Sequence, residues 1–428
     1  MHYSLTCLST GLVLPDDGLP LSNPQADVPA FLRATYSRKA FRPQHPDDGL
    51  YRFRDWLPVQ RTLTGSSAPV TYHSEGLGEY LGLKNLFVTF SGYWPERHSI
   101  MKTGTFKECE AFSVCARMPK DFSQKLVVAS AGNTARAFIR VCSENDIPLV
   151  VVVPERNLGS IWSIGPVGPT VRVVAAAGDS DYSDAIELAG LFAGLPGYLS
   201  EGGARNVARR DGMGTTVLSA VERIGEIPHH YYQAVGSGTG AIAAWEANLR
   251  LIESGDFGDR RMQLHVSQNT PFVPIHMAWR KRSRSIPQMS ERRARRLISR
   301  ISAKVLANRK PPYSLVGGLY DALSDSHGTT AAVGNGAAHR AARLFQELEG
   351  SDVAPAASVA VADLIRSARA GRISPDQIVM LNVTGGGYER IIREQPVQQV
   401  TPNLVVERNE FSRERVAELA KDLFQESI

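Results

Sequence analysis

An α/β fold built on parallel sheets with helices on both faces is the architecture the sequence predicts, and three observations carry it. Short β-branched runs alternate with helical patterns from about residue 126 onward, and the turns that close several of these runs are rich in glycine. The chain has 428 residues and 43% hydrophobic content, enough for two or three domains with buried cores. Residues 126–130 read as a buried strand, 134–144 as a helix and 149–153 as the next strand, closed by Pro154. Residues 171–174 and a helix over 183–192 continue the series. Further strands are predicted at 231–235, 264–266 and 378–383, separated by helices near 241–252, 337–349 and 356–370. The first fifty residues, rich in Pro, Asp and Ser, show no sustained periodicity and read as an irregular N-terminal extension.

Composition excludes several classes. No run approaches eighteen uninterrupted apolar residues, and residues 1–6 lack the basic region and long apolar core of a signal peptide, so a cytoplasmic location and no membrane partner are expected. The four cysteines, Cys7, Cys109, Cys115 and Cys142, are too few for a disulfide scaffold and contain no Cys-x-x-Cys pair, so no metal site is expected. The net charge is +5, concentrated in Arg280-Lys281-Arg282-Ser283-Arg284 and Arg292-Arg293-Ala294-Arg295-Arg296. Such clusters suit nucleic acid. They equally suit the solvated face of an amphipathic helix, because Leu297, Ile298, Ile301 and Val305 recur at helical spacing on the other side.

The segment Thr103-Gly104-Thr105-Phe106-Lys107 carries the chemistry. Cys109, Ala111, Phe112, Val114, Cys115 and Met118 follow at three- and four-residue steps, so Lys107 stands in the first turn of a helix with one buried face. A lysine there can form a Schiff base with an aldehyde cofactor. It can also be an ordinary surface lysine whose stem covers apolar neighbours. Three glycine-bearing turns narrow the choice. Ser130-Ala131-Gly132-Asn133-Thr134 follows a strand and opens a helix, where Asn133 can lie along a planar ligand or merely cap. Gly236-Ser237-Gly238-Thr239-Gly240 joins a strand to a helix, a setting that lets backbone amides approach a phosphate. Asn382-Val383-Thr384-Gly385-Gly386-Gly387 ends the last strand and offers a hydroxyl at Thr384.

The order and spacing of these four elements resemble the tryptophan synthase β-like family of pyridoxal phosphate enzymes. The resemblance implies that Lys107 is the Schiff-base lysine, that Asn133 contacts the phenolic oxygen of pyridoxal 5'-phosphate, that Gly236, Ser237, Gly238, Thr239 and Gly240 cradle its phosphate, and that Thr384 meets its pyridine nitrogen. It also implies two open twisted parallel-rich sheets with helices on both faces and the cofactor in the cleft between two domains. The expected boundaries are 51–119 with 230–428 for a large cofactor domain and 120–229 for a small substrate domain.

Within the family the chain resembles the threonine synthase branch and, more closely, cysteate synthases. Residues 200–215, Tyr93-Trp94-Pro95-Glu96-Arg97, residues 234–240, Trp245-Glu246 and residues 381–387 carry that likeness. It implies an Asn-x-x-Arg pair, Asn206 and Arg209, that holds a substrate phosphate, with Arg205 and Arg210 as further candidates and Lys102 and His98 as weaker ones. The activity it implies is β-replacement through an aminoacrylate, O-phospho-L-serine plus sulfite giving L-cysteate plus phosphate, by a lyase or transferase of amino-acid biosynthesis. Small-molecule substrates and a homo-oligomer are the expected partners, and nucleic acid is not expected. Threonine synthesis, another nucleophile such as sulfide or an amine, or a nucleic-acid-binding protein using residues 280–310 are the alternatives. Three departures stand out. Residues 5–11 lack the second cysteine of the Leu-x-Cys-x-x-Cys-Gly start common among relatives, Glu108 replaces the usual Asp after the lysine, and the arginine-rich segment reads as an elaboration.

Overall fold

The computed structural model describes residues 2–424. Two parallel-rich sheets dominate it, as the alternating pattern predicts. The larger has six strands in the order Thr329–Val333, Gln263–Asn269, His230–Ala234, Ile378–Val383, Asn85–Phe90 and Val70–His73, and only the last of these pairs antiparallel. The smaller has five parallel strands in the order Tyr198–Ser200, Lys125–Ala129, Leu149–Pro154, Val171–Ala176 and Leu404–Val406. The central strand Leu149–Pro154 is buried along its whole length, which is why it reads as an unbroken apolar run and not as an alternation.

The helix Lys107–Arg117 packs against Asn133–Glu144 on one side and Val207–Ile224 on the other. Val207–Ile224 in turn lies on Thr239–Ser254 and on the strands Val70–His73 and Asn85–Phe90. That helix falls in the span 120–229 expected for a small domain, and it packs on two strands of the larger sheet. Conversely, Leu404–Val406 and the helix Arg413–Leu423, expected in the large domain, join the smaller sheet: Val406, Val416 and Ala420 are buried with Val150, Val152 and Val174. A three-residue strand that completes a parallel pair with a distant partner leaves too short a pattern to assign from sequence.

The first fifty residues are not irregular throughout. Tyr3–Cys7, Val13–Leu14 and Leu32–Tyr36 form an antiparallel sheet, with Tyr3, Leu5 and Cys7 inward and Ser4 and Thr6 outward. The intervening Pro- and Asp-rich stretch hides this period-two signal from a composition-based reading. Ties from this sheet to the core include the Tyr36 hydroxyl, which donates to Asp211 at 2.6 Å, and Arg33 Nε, which donates to Glu246 at 3.2 Å.

The arginine-rich segment keeps the solvated face expected, with Arg292, Arg293 and Arg296 exposed, but not the expected length. Its helix is confined to Glu291–Ile298, and the chain then runs inward so that Ile301, Ala303 and Leu306 are buried. Arg295 reaches Asp184 at 3.0 Å and the Asp179 carbonyl at 2.9 Å, and Arg309 donates to Ser183 at 2.9 Å. These partners flank the start of Tyr182–Ala193 on the smaller sheet, so the segment ties the two sheet units together.

A buried histidine pair makes the larger sheet acid-sensitive. His265 stacks on Tyr232 with ring centroids 4.3 Å apart, and its Nε2 lies 3.0 Å from Nδ1 of His230. Burial, then the neighbouring His230 and Arg372 charges, pull its pKa from 6.5 down to about 3. The unfolded chain protonates this ring near its ordinary value while the folded chain resists, so the stabilising contribution is whole above pH 6.5 and is lost progressively as pH falls toward 3. Urea midpoints measured along that descent should fall, and His265→Gln should flatten the slope. Equal slopes for both proteins would contradict this account.

Candidate active site

Lys107 is placed by the turn that precedes it. Gly104 adopts φ +65°, and a Cβ there would stand 2.6 Å from Cε1 of Tyr388, so the turn needs glycine for both conformation and space. The Phe106 N–H donates to the Thr384 carbonyl at 3.1 Å, and the Thr105 hydroxyl donates to the same oxygen at 3.2 Å. The lysine turn is thereby stitched to the Thr384 turn at the end of Ile378–Val383. Glu108 is buried and accepts from Thr103 N, Arg140 Nη1 and Ser67 Oγ, so the longer carboxylate still ties down the turn.

The amine of Lys107 donates to Glu110 Oε2 at 2.9 Å and lies 4.9 Å from the centre of the Phe106 ring. Glu110 is fully buried, and its other oxygen receives the Thr134 hydroxyl at 2.8 Å and faces Arg209 Nη1 at 3.1 Å. Burial works to raise the Glu110 pKa, but the Arg209 and Lys107 charges and the hydrogen bonds from Lys107 and Thr134 outweigh it and hold the carboxyl below its ordinary value. Lys107, Glu110, Thr134 and Arg209 thus form one charged cluster.

Asn133 opens the helix Asn133–Glu144 beyond the strand Lys125–Ala129, and Ser130 Oγ braces the turn by accepting from Gly132 N and Ala135 N. Its Oδ1 accepts from Arg136 Nη2 at 2.8 Å, while its Nδ2 donates to no acceptor among the described residues. The glycine loop 236–240 joins His230–Ala234 to Thr239–Ser254. Ser237 Oγ lies 2.8 Å from Thr239 Oγ1. The N–H groups of Gly236, Ser237, Gly238 and Gly240 donate to no acceptor among the described residues, and all four are at a helix N-terminus. The chain at Val305 and Leu306 spans the two loops: a Cβ on Gly236 would stand 3.0 Å from Leu306 Cα, and one on Gly132 would stand 3.5 Å from Val305 Cγ1. The ends of Lys125–Ala129 and Ile378–Val383, one from each sheet, are tied to the start of the Lys107 helix through Thr134 on Glu110 and the Thr384 carbonyl on Phe106 N.

The family model for pyridoxal-phosphate dependent enzymes matches residues 82–385. The chain belongs to that family. It is 45% identical over 374 residues to the cysteate synthase of Methanosarcina barkeri, covering 87% of this chain and 90% of the relative. It is 43% identical over 420 residues to the cysteate synthase of Methanoregula boonei, covering 98% of each. Among solved structures, maize serine racemase superposes with a TM-score of 0.57 at 14% identity over 76% of this chain and 92% of the other, a likeness of fold. Threonine deaminase isoform 2 of Solanum lycopersicum does so with a TM-score of 0.55 at 13% identity, over 76% and 87%.

The residues present fit the cofactor of this pyridoxal-phosphate dependent family. Unpartnered amides at the glycine loop would suit its phosphate, and the Asn133 Nδ2 group, without an acceptor among the described residues, would be available to donate to it. Gly238 has φ +83°, and a Cβ there would stand 2.5 Å from Leu319 Cδ2. A β-branched side chain is poorly tolerated at such a φ. Gly238→Val is therefore expected to lower pyridoxal phosphate affinity by about tenfold or more, through about 1–3 kcal/mol of strain in the loop. Retention of cofactor through dialysis measures the effect, and parental affinity in Gly238→Val would place the phosphate elsewhere.

Two of the candidate phosphate ligands are otherwise engaged. Asn206 caps Val207–Ile224: its Oδ1 accepts from Ala208 N and Arg117 Nη1, both at 3.0 Å, and its Nδ2 donates to the Glu201 carbonyl. Arg210 is fully buried, donates to Glu246 at 2.8 Å and to the Ala204 carbonyl at 2.6 Å, and stacks on Phe31. A buried guanidinium demands such partners, so neither the Arg210 side chain nor the Asn206 amide, held in its cap, has a group left over for a substrate phosphate. Arg209 belongs to the Lys107 cluster but is gripped by Glu201, at 2.6 Å from Nε. Arg205 is exposed, and its side chain has no partner among the described residues. Lys102 pairs with Glu144 and His98 is exposed, so neither joins the cluster.

Sequence reasoning missed Glu110, Glu201, Arg136 and Tyr388. For Glu110 the signal was present: a carboxylate three residues after the lysine, on a helix otherwise apolar along that face.

Proposed function

We propose that this protein replaces the phosphate of O-phospho-L-serine with sulfite, giving L-cysteate and phosphate. The observation that carries the reading is 42–45% identity to cysteate synthases over nearly the whole chain, and the pairing of Lys107 with the buried Glu110 supports it. Lys107, Asn133, residues 236–240 and Thr384 would hold pyridoxal phosphate. When bound, the cofactor supplies an aldehyde for the substrate amine and a ring that draws charge from the α-carbon.

The chain's own residues do the rest. Lys107 Nζ takes the α-proton as general base, with Glu110 fixing the amine in place. The C–O bond to phosphate breaks and the phosphate leaves as hydrogen phosphate with a proton from solvent, which is replenished when hydrogen sulfite gives up its proton and the sulfur lone pair of sulfite forms the new C–S bond at the β-carbon. Lys107 returns the proton to the α-carbon. Arg205, exposed and without a side-chain partner among the described residues, would receive the departing phosphate, while Arg209 stays paired with Glu110 and Glu201.

Substrate length separates this reading from threonine synthesis. Phosphohomoserine is one methylene longer, and a misplacement of about an ångström costs roughly a hundredfold in rate. The holoenzyme is expected to turn phosphoserine and sulfite into cysteate with a kcat/KM about a hundredfold above that for threonine formation from phosphohomoserine. Faster threonine formation would overturn the substrate assignment.

A further inference from the structure

Five arginines of the described residues are buried: Arg117, Arg136, Arg140, Arg210 and Arg250. Four of them face a carboxylate, respectively Asp16 for Arg117, Glu108 for Arg140, Glu246 for Arg210 and Asp211 for Arg250. Arg136 does not. It is 7% exposed, and among the described residues no carboxylate forms an ion pair with it. Its Nη2 donates to Asn133 Oδ1 at 2.8 Å and to the Tyr388 hydroxyl at 3.1 Å, and its Nη1 donates to the Ser160 carbonyl at 3.2 Å. Its Nε has no partner. Trp162 and Tyr388 lie against the guanidinium, with ring centres 4.5 and 5.4 Å away. A desolvated cation that meets only neutral partners is costly unless an anion completes it.

We infer that Arg136 binds the sulfur oxyanion consumed by this enzyme, holding sulfite beside Asn133 for attack on the β-carbon. The inference rests on the reaction proposed above. It gives the incoming anion its own cation, separate from Arg209, whose charge Glu110 and Glu201 already offset. The carboxylate of the amino-acid substrate has another place to go: the N–H groups of Asn133 and Thr134, in the first turn of a helix, donate to no acceptor among the described residues. Trp162 and Tyr388 pack against the guanidinium, and Nε is the N–H they leave without a partner.

The test uses the holoenzyme, with Arg136→Gln and Arg136→Lys beside the parent. A hydrogen bond to a charged group corresponds to about a tenfold to hundredfold change in affinity, so KM for sulfite should rise by that factor in Arg136→Gln. The effect should be selective, with KM for phosphoserine and phosphate release without sulfite changing by a smaller factor than KM for sulfite. Arg136→Lys should recover part of the sulfite affinity, which a purely structural role would not give, and it stands in if Arg136→Gln does not fold. Calorimetry with sulfate, a sulfur oxyanion that does not react, should show one fewer saturable site in Arg136→Gln than in the parent, whether or not cysteate is formed. A parent that binds sulfate but makes no cysteate would therefore overturn the reaction while leaving the anion site. A rise in KM for phosphoserine with sulfite unaffected, or equal sulfate binding by parent and variant, would overturn the assignment of Arg136.

Discussion

Lys107→Ala is expected to abolish turnover, by about a thousandfold or more, while leaving the fold in place. The size follows from the loss of a general base, which alone is worth about two to four orders of magnitude, together with the loss of the amine that anchors the cofactor. Stability survives because Glu110, the buried partner of that amine, keeps two other partners: Thr134 Oγ at 2.8 Å and Arg209 Nη1 at 3.1 Å. The thermal transition should remain cooperative. The direct check is chemical: borohydride reduction of the parent followed by peptide mass spectrometry should place a pyridoxyl group on Lys107, and the variant should carry none. An adduct on any other lysine sinks the assignment of the base, whatever the variant's activity.

The sequence made the strands on either side of this lysine legible because parallel strands buried on both faces are unbroken β-branched runs. Leu149–Pro154 and Ile378–Val383 lie where the pattern places them, and the helix predicted near 241–252 is observed at Thr239–Ser254. The glycine-bearing turns were legible for a related reason: each sits where a strand stops and a helix starts. What stayed hidden was pairing at a distance. Nothing local marks Leu404–Val406 as the partner of Val171–Ala176, or Arg295 as the partner of Asp184.

The same limit explains the arginines at the site. Residues 205, 209 and 210 look alike in sequence, yet Arg205 is exposed, Arg210 is buried against Glu246, and Arg209 stands between two carboxylates. Charge in a motif names a residue that can meet an anion. Only the surrounding carboxylates decide whether that anion is already part of the protein.

Arg209 illustrates the consequence, and its removal should have the second largest effect. Both of its partners are buried, Glu110 fully and Glu201 nearly so. Arg209→Ala leaves two desolvated carboxylates facing one another without their shared cation, and breaking a buried pair in this way costs about 3–5 kcal/mol. Glu110 loses the largest influence that holds its carboxyl below the ordinary value, so burial should dominate and push its pKa upward. A carboxyl held low stabilises the fold above its unfolded pKa and loses that contribution as pH falls, so the variant should lose its stability deficit relative to the parent in acid, where both carboxylates are protonated. Arg209→Lys should restore only part of the loss, because a point charge cannot span Glu110 and Glu201 as the planar fork does. Arg209→Ala with Glu201→Gln should be more stable than Arg209→Ala alone, since one orphaned charge is gone while Lys107 and Thr134 still hold Glu110. Urea midpoints across pH measure all of this, with phosphate release followed in parallel. Parental stability in Arg209→Ala, accompanied by a loss of phosphate release alone, would make Arg209 a substrate ligand free of the carboxylates and would refute its place at the centre of the buried cluster.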